Sequence, residues 1–387
     1  MAEERFDCII VGGGLAGLTA AHILAAEGLE TLLVEKGTSS GEKNMTGGRL
    51  YGHSLEQVVP GFANSEAVER RIVKERLTTS EGTVEYSGSG LVAPAGESYA
   101  VLRGVLDSWL ADQAEEQGAM LVYGVRVDDL IVRDGSVCGV IASDEEMEAD
   151  VVILADGVNS LLAQKLGYKS AIGQNQVAVG AKELLELGED TINERFGVGA
   201  GEGLAWMFTG CGEVYDGFLY TNKNSVSVGV AMVVEEIHNT ESSIPQMLEE
   251  FKARPEIAPL LAGGKLIEYS AHLLPEGGGD MIPKLYGDGV LVTGDAAALC
   301  ANLGFTIRGM DLAVESGRLA AQTVLAAREK GDFSAAALSA YQTALEASFV
   351  LPCVKGAAAC HHAVKAGGFA ADPVQAFNDV MSASQIG

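Results

Sequence analysis

Phe6-Asp-Cys-Ile-Ile-Val11, running straight into Gly12-Gly-Gly-Leu-Ala-Gly17, is the stretch whose reading decides the fold. Its first six residues form a short apolar, β-branched run, the pattern of a strand buried on both faces of a parallel sheet. Gly12, Gly14 and Gly17 then fill the G-x-G-x-x-G spacing, and Leu15 to Glu27 is Ala/Leu-rich and helical in character. Thr31-Leu-Leu-Val-Glu35 reads as a second strand ending in an acid, about 20 residues on, as a dinucleotide fingerprint requires. The three glycines answer three mechanical needs: a tight turn, close approach of backbone to a pyrophosphate, and close packing of helix on strand. The helix N-terminus offers amides and dipole to phosphates, and Glu35 is suited to accept ribose hydroxyls.

Length and composition bound the rest. At 387 residues the chain exceeds one simple core and fits one elaborate or two interleaved domains. A formal charge of −27 excludes electrostatically driven binding of nucleic acid or an anionic bilayer, and reads as a solubility surface. The charged start Met1-Ala-Glu-Glu-Arg5 runs directly into the first strand, so no signal peptide is expected. No run of about 18 apolar residues announces a membrane span. Cys8, Cys138, Cys211, Cys300, Cys353 and Cys360 are scattered without C-x-x-C spacing. They point to a reducing cytoplasm and supply neither a zinc ribbon nor an iron–sulfur motif.

Along the chain, Gly37 to Gly52 is polar, irregular and rich in backbone amides, and residues 70 to 102 alternate in short pieces like antiparallel strands. Leu106 to Gln117 reads as a helix, with Trp109 packing it on a sheet. A hairpin is expected from Asp129 to Ala142 around Asp134-Gly135. Asp150-Val-Val-Ile-Leu-Ala155 is another buried strand, ending at Asp156-Gly157. Residues 177 to 275 look extended, and Val226 to Val234 reads as a buried strand rather than a membrane-interface segment. Gly289-Val-Leu-Val-Thr293 returns to the first sheet before Gly294-Asp295, and an Ala-rich helix covers Asp311 to Glu329. Gly197-Val-Gly-Ala-Gly-Glu-Gly203 follows no buried strand and precedes no helix, so it reads as a turn, not a second nucleotide loop.

Several of these stretches carry a family resemblance. Arg103-Gly-Val-Leu-Asp-Ser-Trp-Leu110, Ala155-Asp-Gly-Val-Asn-Ser160 and Val292-Thr-Gly-Asp-Ala-Ala297 resemble the Arg-, DG- and GD-motifs of glutathione-reductase-type FAD proteins with a hydroxylase-like fold. Four stretches are more specific: Lys43-Asn-Met-Thr-Gly-Gly-Arg-Leu-Tyr51, Phe218-Leu-Tyr-Thr-Asn-Lys223, His272-Leu-Leu-Pro-Glu-Gly-Gly278 with Pro283-Lys-Leu-Tyr-Gly-Asp288, and Asn302-Leu-Gly-Phe-Thr-Ile-Arg-Gly-Met-Asp311. They are similar to the FixC type, the electron-transfer-flavoprotein:quinone oxidoreductase-like subunit of Fix/Etf-ABCX membrane-associated complexes. The resemblance covers roughly residues 5 to 350.

The resemblance implies an α/β fold: a Rossmann-like FAD-binding domain with an inserted antiparallel-sheet substrate domain and a C-terminal helical tail. The expected bounds are 1–75, 100–165 and 276–335 for the FAD-binding domain, 76–99 and 166–275 for the strand-rich one, and 336–387 for the tail. It places Gly12, Gly14, Leu15, Ala16 and Gly17 at the pyrophosphate, Glu35 and Lys36 near the ribose, and Arg103 on the phosphate side. Val127 would offer backbone to adenine, with Ala155, Asp156 and Gly157 in the DG motif. Gly294 and Asp295 would take the ribityl chain. Thr46, Gly47, Gly48 and Arg49 would flank the isoalloxazine, opposite Leu303, Gly304 and Phe305. His53, His272 and Glu276 are weak candidates for proton relay to a quinone. The helix after the GD motif would turn its positive end towards the reduced ring.

The implied activity is electron transfer from electron-transfer flavoprotein subunits, through FAD, to a quinone, as the exergonic branch of flavin-based bifurcation. A small ferredoxin-like iron–sulfur subunit would supply the cluster. The implied location is peripheral, on the inner face of the cytoplasmic membrane. The alternative is an NAD(P)H- or ferredoxin-dependent geranylgeranyl-reductase-like or hydroxylase-like flavoenzyme, and a third reading is a non-catalytic FAD-binding subunit. After Leu345 to Val350 the chain turns Ala/Gly-rich and departs from the basic, aromatic tail associated with the family. Cys353 with Cys360-His361-His362 matches no metal spacing, and Pro352 is expected to break the helix that would array them.

Overall fold

A computed structural model describes residues 5–44, 47–87, 97–211, 213–276, 278–304 and 306–365, with side chains as far as 357. β1 (Arg5–Val11), α1 (Leu15–Ala26) and β2 (Thr31–Val34) build the first βαβ unit. Next come β3 (Gly48–Tyr51), α2 (His53–Val58), β4 (Arg70–Thr79), β5 (Gly82–Ser87) and β6 (Ser98–Val101). α3 (Arg103–Glu116) leads into β7 (Met120–Val122), the hairpin β8 (Val127–Arg133) and β9 (Ser136–Ala142), then β10 (Glu145–Leu154) and α4 (Leu161–Lys165). A second excursion holds β11 (Val177–Glu186), α5 (Glu189–Phe196), β12 (Glu202–Phe208), β13 (Asp216–Thr221), β14 (Ser225–Val233), α6 (Ile244–Lys252), α7 (Ala258–Leu261) and β15 (Lys265–Pro275). The chain returns through β16 (Tyr286–Gly287) and β17 (Val290–Val292), crosses the small pair β18 (Ala301–Asn302) and β19 (Ile307–Arg308), and enters α8 (Met310–Lys330). α9 (Ala335–Leu338), α10 (Ala340–Ala347) and α11 (Val350–Lys365) follow.

Two sheets divide these strands. In the first, β17, β10, β1, β2 and β7 run parallel in that order, so the loops after β1, β10 and β17 leave from one edge. This is the doubly wound arrangement, in which ligands sit beyond the carboxyl ends of the strands. The second sheet runs β15-β11-β14-β13-β12-β4-β6-β3 with β5 on β4. Its outer face, Leu204, Trp206, Leu219, Val228 and Val230 among others, packs on Met247, Leu248 and Phe251 of α6. The opposite face meets the main core through Ala205, Met207, Phe218 and Tyr220. β14 is therefore buried along nearly all its length, as its apolar run predicts.

Two expectations need correcting. β3 and the first half of β4 lie within the 1–75 span assigned to the FAD-binding unit, yet both pair in the second sheet, β3 and β4 with β6. Four residues carry too little periodicity to announce a long-range partner. Pro352 does not break a helix: it stands in the first turn of α11, where its missing amide has no intrahelical partner to lose. The side chains of Cys360, His361 and His362 and the tail from 366 lie outside the described residues. The stretch 197–201 is a turn between α5 and β12, and Arg70 donates to the Glu202 carbonyl at 2.7 Å.

Helices α1 and α8 pack so closely that Gly317 of α8 has no room for a side chain: a Cβ there would stand 2.2 Å from the Ala16 carbonyl oxygen. Gly317→Val is expected to push α8 off the first turn of α1, costing about 1–3 kcal/mol. Thermal unfolding checks this; an unchanged midpoint would contradict the close packing.

Candidate flavin-binding site

The first turn of α1 opens into a cavity of about 980 Å³ that also takes in the ends of β10 and β17 and the inner face of the second sheet. Gly12 adopts φ +111°, and a Cβ on it would lie 2.3 Å from the Ala155 carbonyl oxygen, so only glycine lets β1 turn beneath the end of β10. Gly14 caps α1 with no side-chain hydrogen bond, leaving the helix amides and dipole facing the cavity. Leu15 and Ala16 line it as well, whereas Gly17 stands beneath, where a Cβ would lie 2.1 Å from the Gly12 carbonyl. Glu35 is held from two loops: Gly13 N, after β1, donates to Oε2 at 2.7 Å and Gly37 N, of its own loop, to Oε1 at 2.6 Å. Lys36 and Val127 complete that rim. Arg103 forms a two-pronged ion pair with buried Asp107, both contacts 2.7 Å, and Asn44 Nδ2 donates to the same carboxylate at 2.8 Å.

At the other end Ala155, Asp156, Gly157, Gly294 and Asp295 line the same cavity. Ser316 of α8 pins the last loop by accepting from Gly294 N at 3.1 Å and from Thr293 Oγ1 at 2.9 Å. Burial pushes the Asp295 carboxyl above the usual range, against the pull of His272, Arg103 and Lys169. Burial also pushes Asp156 up, and its Oδ1 is buried without a partner among the described residues. An orphan carboxylate oxygen, an uncapped helix start and an acid positioned for hydroxyls form a donor and acceptor set that fits a dinucleotide.

Gly47, Gly48 and Arg49 line the cavity where the second sheet meets it, and Thr46 lies outside the described residues. Of the facing loop, Leu303 is packed into the core and Gly304 donates to Asn302 Oδ1 at 2.9 Å. Neither lines the cavity, and Phe305 lies outside the described residues; Cys300, Ile307, Gly309 and Met310 line it instead. Of the three proton candidates, only His272 on β15 reaches the cavity, with its pKa lowered by burial. His53 sits on α2 with its ring 4.7 Å from that of Phe349, and Glu276 accepts from Asn302 Nδ2 at 2.8 Å. Among the described residues, no group of three metal-ligating side chains is assembled.

Several buried polar contacts in the second sheet are visible only in the structure. Arg49 pairs with Glu75 and donates to Ser98 Oγ at 2.9 Å. Its guanidinium lies 4.5 Å from the centre of the Tyr51 ring, and that of Arg308 lies 4.8 Å from it. Lys182, 1 % exposed in the middle of β11, donates to the Gly47 carbonyl at 2.8 Å, and burial lowers its pKa to about 7. Lys182 would read in sequence as one charge in an alternating strand; only the pairing of sheets turns it inward.

With this geometry described, comparison with known proteins is informative. A family model described as FAD dependent oxidoreductase matches residues 7–207. Protein FixC of Escherichia coli K12 is 52 % identical over 353 residues, covering 89 % of this chain and 82 % of that protein. YdiS of the same organism, a "Probable electron transfer flavoprotein-quinone oxidoreductase", is 49 % identical over 358 residues, 91 % of this chain and 83 % of that protein. Among solved structures, a geranylgeranyl bacteriochlorophyll reductase-like protein from Thermoplasma acidophilum superposes with a TM-score of 0.77 at 19 % identity, covering 99 % of this chain and 92 % of that one. PqsL from P. aeruginosa matches with a TM-score of 0.71 at 15 % identity, over 98 % and 100 % of the two chains. At such identities these structures speak for the fold alone. The chain belongs to the FAD-dependent oxidoreductases, in their FixC-type branch. FAD is its cofactor, and it is an oxidoreductase by class.

Lys182 yields a test with a definite sign. Its folded pKa, about 7, lies below the unfolded value, so the unfolded chain binds more protons between the two and stability rises with pH across that window. Below it the buried charge is a constant burden. Lys182→Met removes the burden, so the variant's melting temperature minus that of the wild type is expected to be more positive at about pH 6 than at about pH 9. A difference independent of pH would contradict the buried, titrating ammonium.

Proposed function

We propose that this chain takes electrons from a partner electron-transfer flavoprotein and passes them, through FAD, to a quinone within a multi-subunit complex. The observation that carries the reading is the second wall of the cavity. Facing the cofactor-binding loops stand Val179, Phe218, Tyr220, Ala271, Leu273 and Leu274, an apolar and aromatic surface suited to a flat, lipophilic ring. The identity with FixC and YdiS supports the same reading. In this assembly a small ferredoxin-like iron–sulfur subunit is the further partner, and the chain serves the exergonic branch of bifurcation. No helix among the described residues is long and apolar enough to cross a membrane, so contact with the inner face of the cytoplasmic membrane is peripheral in this proposal.

Bound FAD supplies reversible one- and two-electron exchange. Gly12, Gly14, Leu15 and Ala16 offer backbone to the pyrophosphate, Glu35 takes the adenosine ribose, and Arg103 stands on the phosphate side. Val127 serves the adenine, and Asp295 with Gly294 the ribityl hydroxyls. Gly47, Gly48 and Arg49 shield the ring, while the N-terminus of α8 at Met310 favours negative charge near it. His272, in the cavity wall, is the residue placed to exchange a proton with a reduced quinone.

Anaerobic visible spectroscopy of the yellow protein tests this. NADPH and NADH are expected to leave the flavin oxidised, dithionite to reduce it, and a short-chain quinone to reoxidise it promptly. Rapid bleaching by either nucleotide would instead establish a reductase or hydroxylase.

A further inference from the structure

Lys169 carries no motif and is absent from the cavity lining, yet it sits directly behind two of the loops that form it. It follows α4, its backbone held by Ala163, whose carbonyl accepts from Lys169 N at 3.3 Å. The side chain is buried, with the residue 9 % exposed, and its ammonium donates to the Val158 carbonyl at 2.9 Å and the Ala296 carbonyl at 3.2 Å. Val158 closes the loop that begins Ala155-Asp156-Gly157, and Ala296 follows Gly294-Asp295 directly. One ammonium therefore bridges the ends of two parallel strands, β10 and β17, at the point where both deliver a carboxylate to the cavity.

We propose that Lys169 is a positioning residue for the flavin, tying the two motif loops together from behind and supplying the positive charge that faces the Asp295 carboxylate. The inference rests on the reading of Asp295 as the ribityl acceptor. A carboxylate accepts two hydroxyls best when ionised, and burial works against ionisation here. The charges that oppose burial reach Asp295 from different elements: His272 from β15, Arg103 from α3 and Lys169 from the segment after α4, with the Cys300 thiol also nearby. Arg103 is already committed to Asp107, and the pKa of His272 is itself lowered by burial. Lys169, lowered by burial but supported by Asp156 and Asp295 together, is the cation whose ammonium donates to a carbonyl on each of the two loops themselves.

The experiment is FAD dissociation from the holoprotein, followed by free-flavin fluorescence on dilution across pH. Lys169→Gln keeps a donor for the two carbonyls and removes the charge. It is expected to weaken FAD binding, by about tenfold for each unit by which the Asp295 pKa comes to lie above the pH of the measurement. Because a protonated carboxyl regains its charge as pH rises, the defect is expected to shrink towards alkaline pH. Lys169→Arg is expected to bind FAD nearly as the wild type does. In an Asp295→Asn background, adding Lys169→Gln is expected to change affinity less than about twofold, since the coupled charge is gone. A defect independent of pH, or one of equal size in that background, would overturn the charge role and leave only a tether. Asp295→Ala separates the two levels. Full FAD occupancy in that variant would remove the site assignment itself, whereas a flavin-poor Asp295→Ala beside a wild-type Lys169→Gln would remove this proposal alone. Should Lys169→Gln fail to fold, Lys169→Met carries the same expected pH dependence.

Discussion

The close approach of two backbones at the carboxyl edge of the parallel sheet governs what this molecule can build. β1 and β10 pair in register, Val11 beside Leu154, so the turns that follow them leave the sheet side by side. A side chain at Gly12 would collide with the Ala155 carbonyl, and one at Gly17 with the Gly12 carbonyl. Glycine at both positions lets the turn fold beneath its neighbour and sets α1 down on β1. From that seat α1 receives α8 at Gly317, and α8 in turn fixes the Gly294 loop through Ser316. Three loops far apart in sequence are thereby held around one cavity by contacts with no freedom to slide.

The second sheet supplies the other wall, and its polar interior follows from that position. The chain carries a formal charge of −27, yet several of its few cations are buried: Arg49, Arg70, Lys169, Lys182 and Arg308. Arg49, Arg70, Lys169 and Lys182 donate to carbonyls or carboxylates on segments distant in sequence, and Arg308 pairs with Asp311 at the start of α8. Arg70 donates to the carbonyls of Asn222, Glu202 and Lys223, and Lys182 to that of Gly47. Buried charges of this kind add little net stability, because desolvation offsets the attraction. What they do is penalise any arrangement in which their partners are missing, so they select one seating of loops against sheet. Around the cavity this selection matters, since a flavin tolerates little displacement of the groups that hold it.

Function divides along the same line. The loops on the parallel sheet are built from glycine and backbone amides and form one wall of the cavity. The inserted sheet contributes Phe218, Tyr220 and His272 and faces whatever meets the cofactor there. A fold of this kind can therefore keep its first wall and change its chemistry through the second.

Local sequence determined the βαβ unit, the hairpin from Asp129 to Ala142, the long helix after Met310 and the glycine-bearing loops that line the cavity. Each of these rests on interactions within a short window: strand periodicity, turn chemistry at Asp134-Gly135, glycine spacing, helix propensity. Most of the candidate nucleotide residues, from Gly12 to Asp295, were legible for the same reason. The pairing of β3 with β6, the burial of Leu303 away from the cavity, and the inward turn of Lys169 and Lys182 were decided only by tertiary structure. A lysine in an alternating strand or after a short helix looks the same whether it meets water or a carbonyl from 127 residues away, as Lys169 meets Ala296. Long-range packing chooses between the two, and a single sequence read in short windows does not contain that choice.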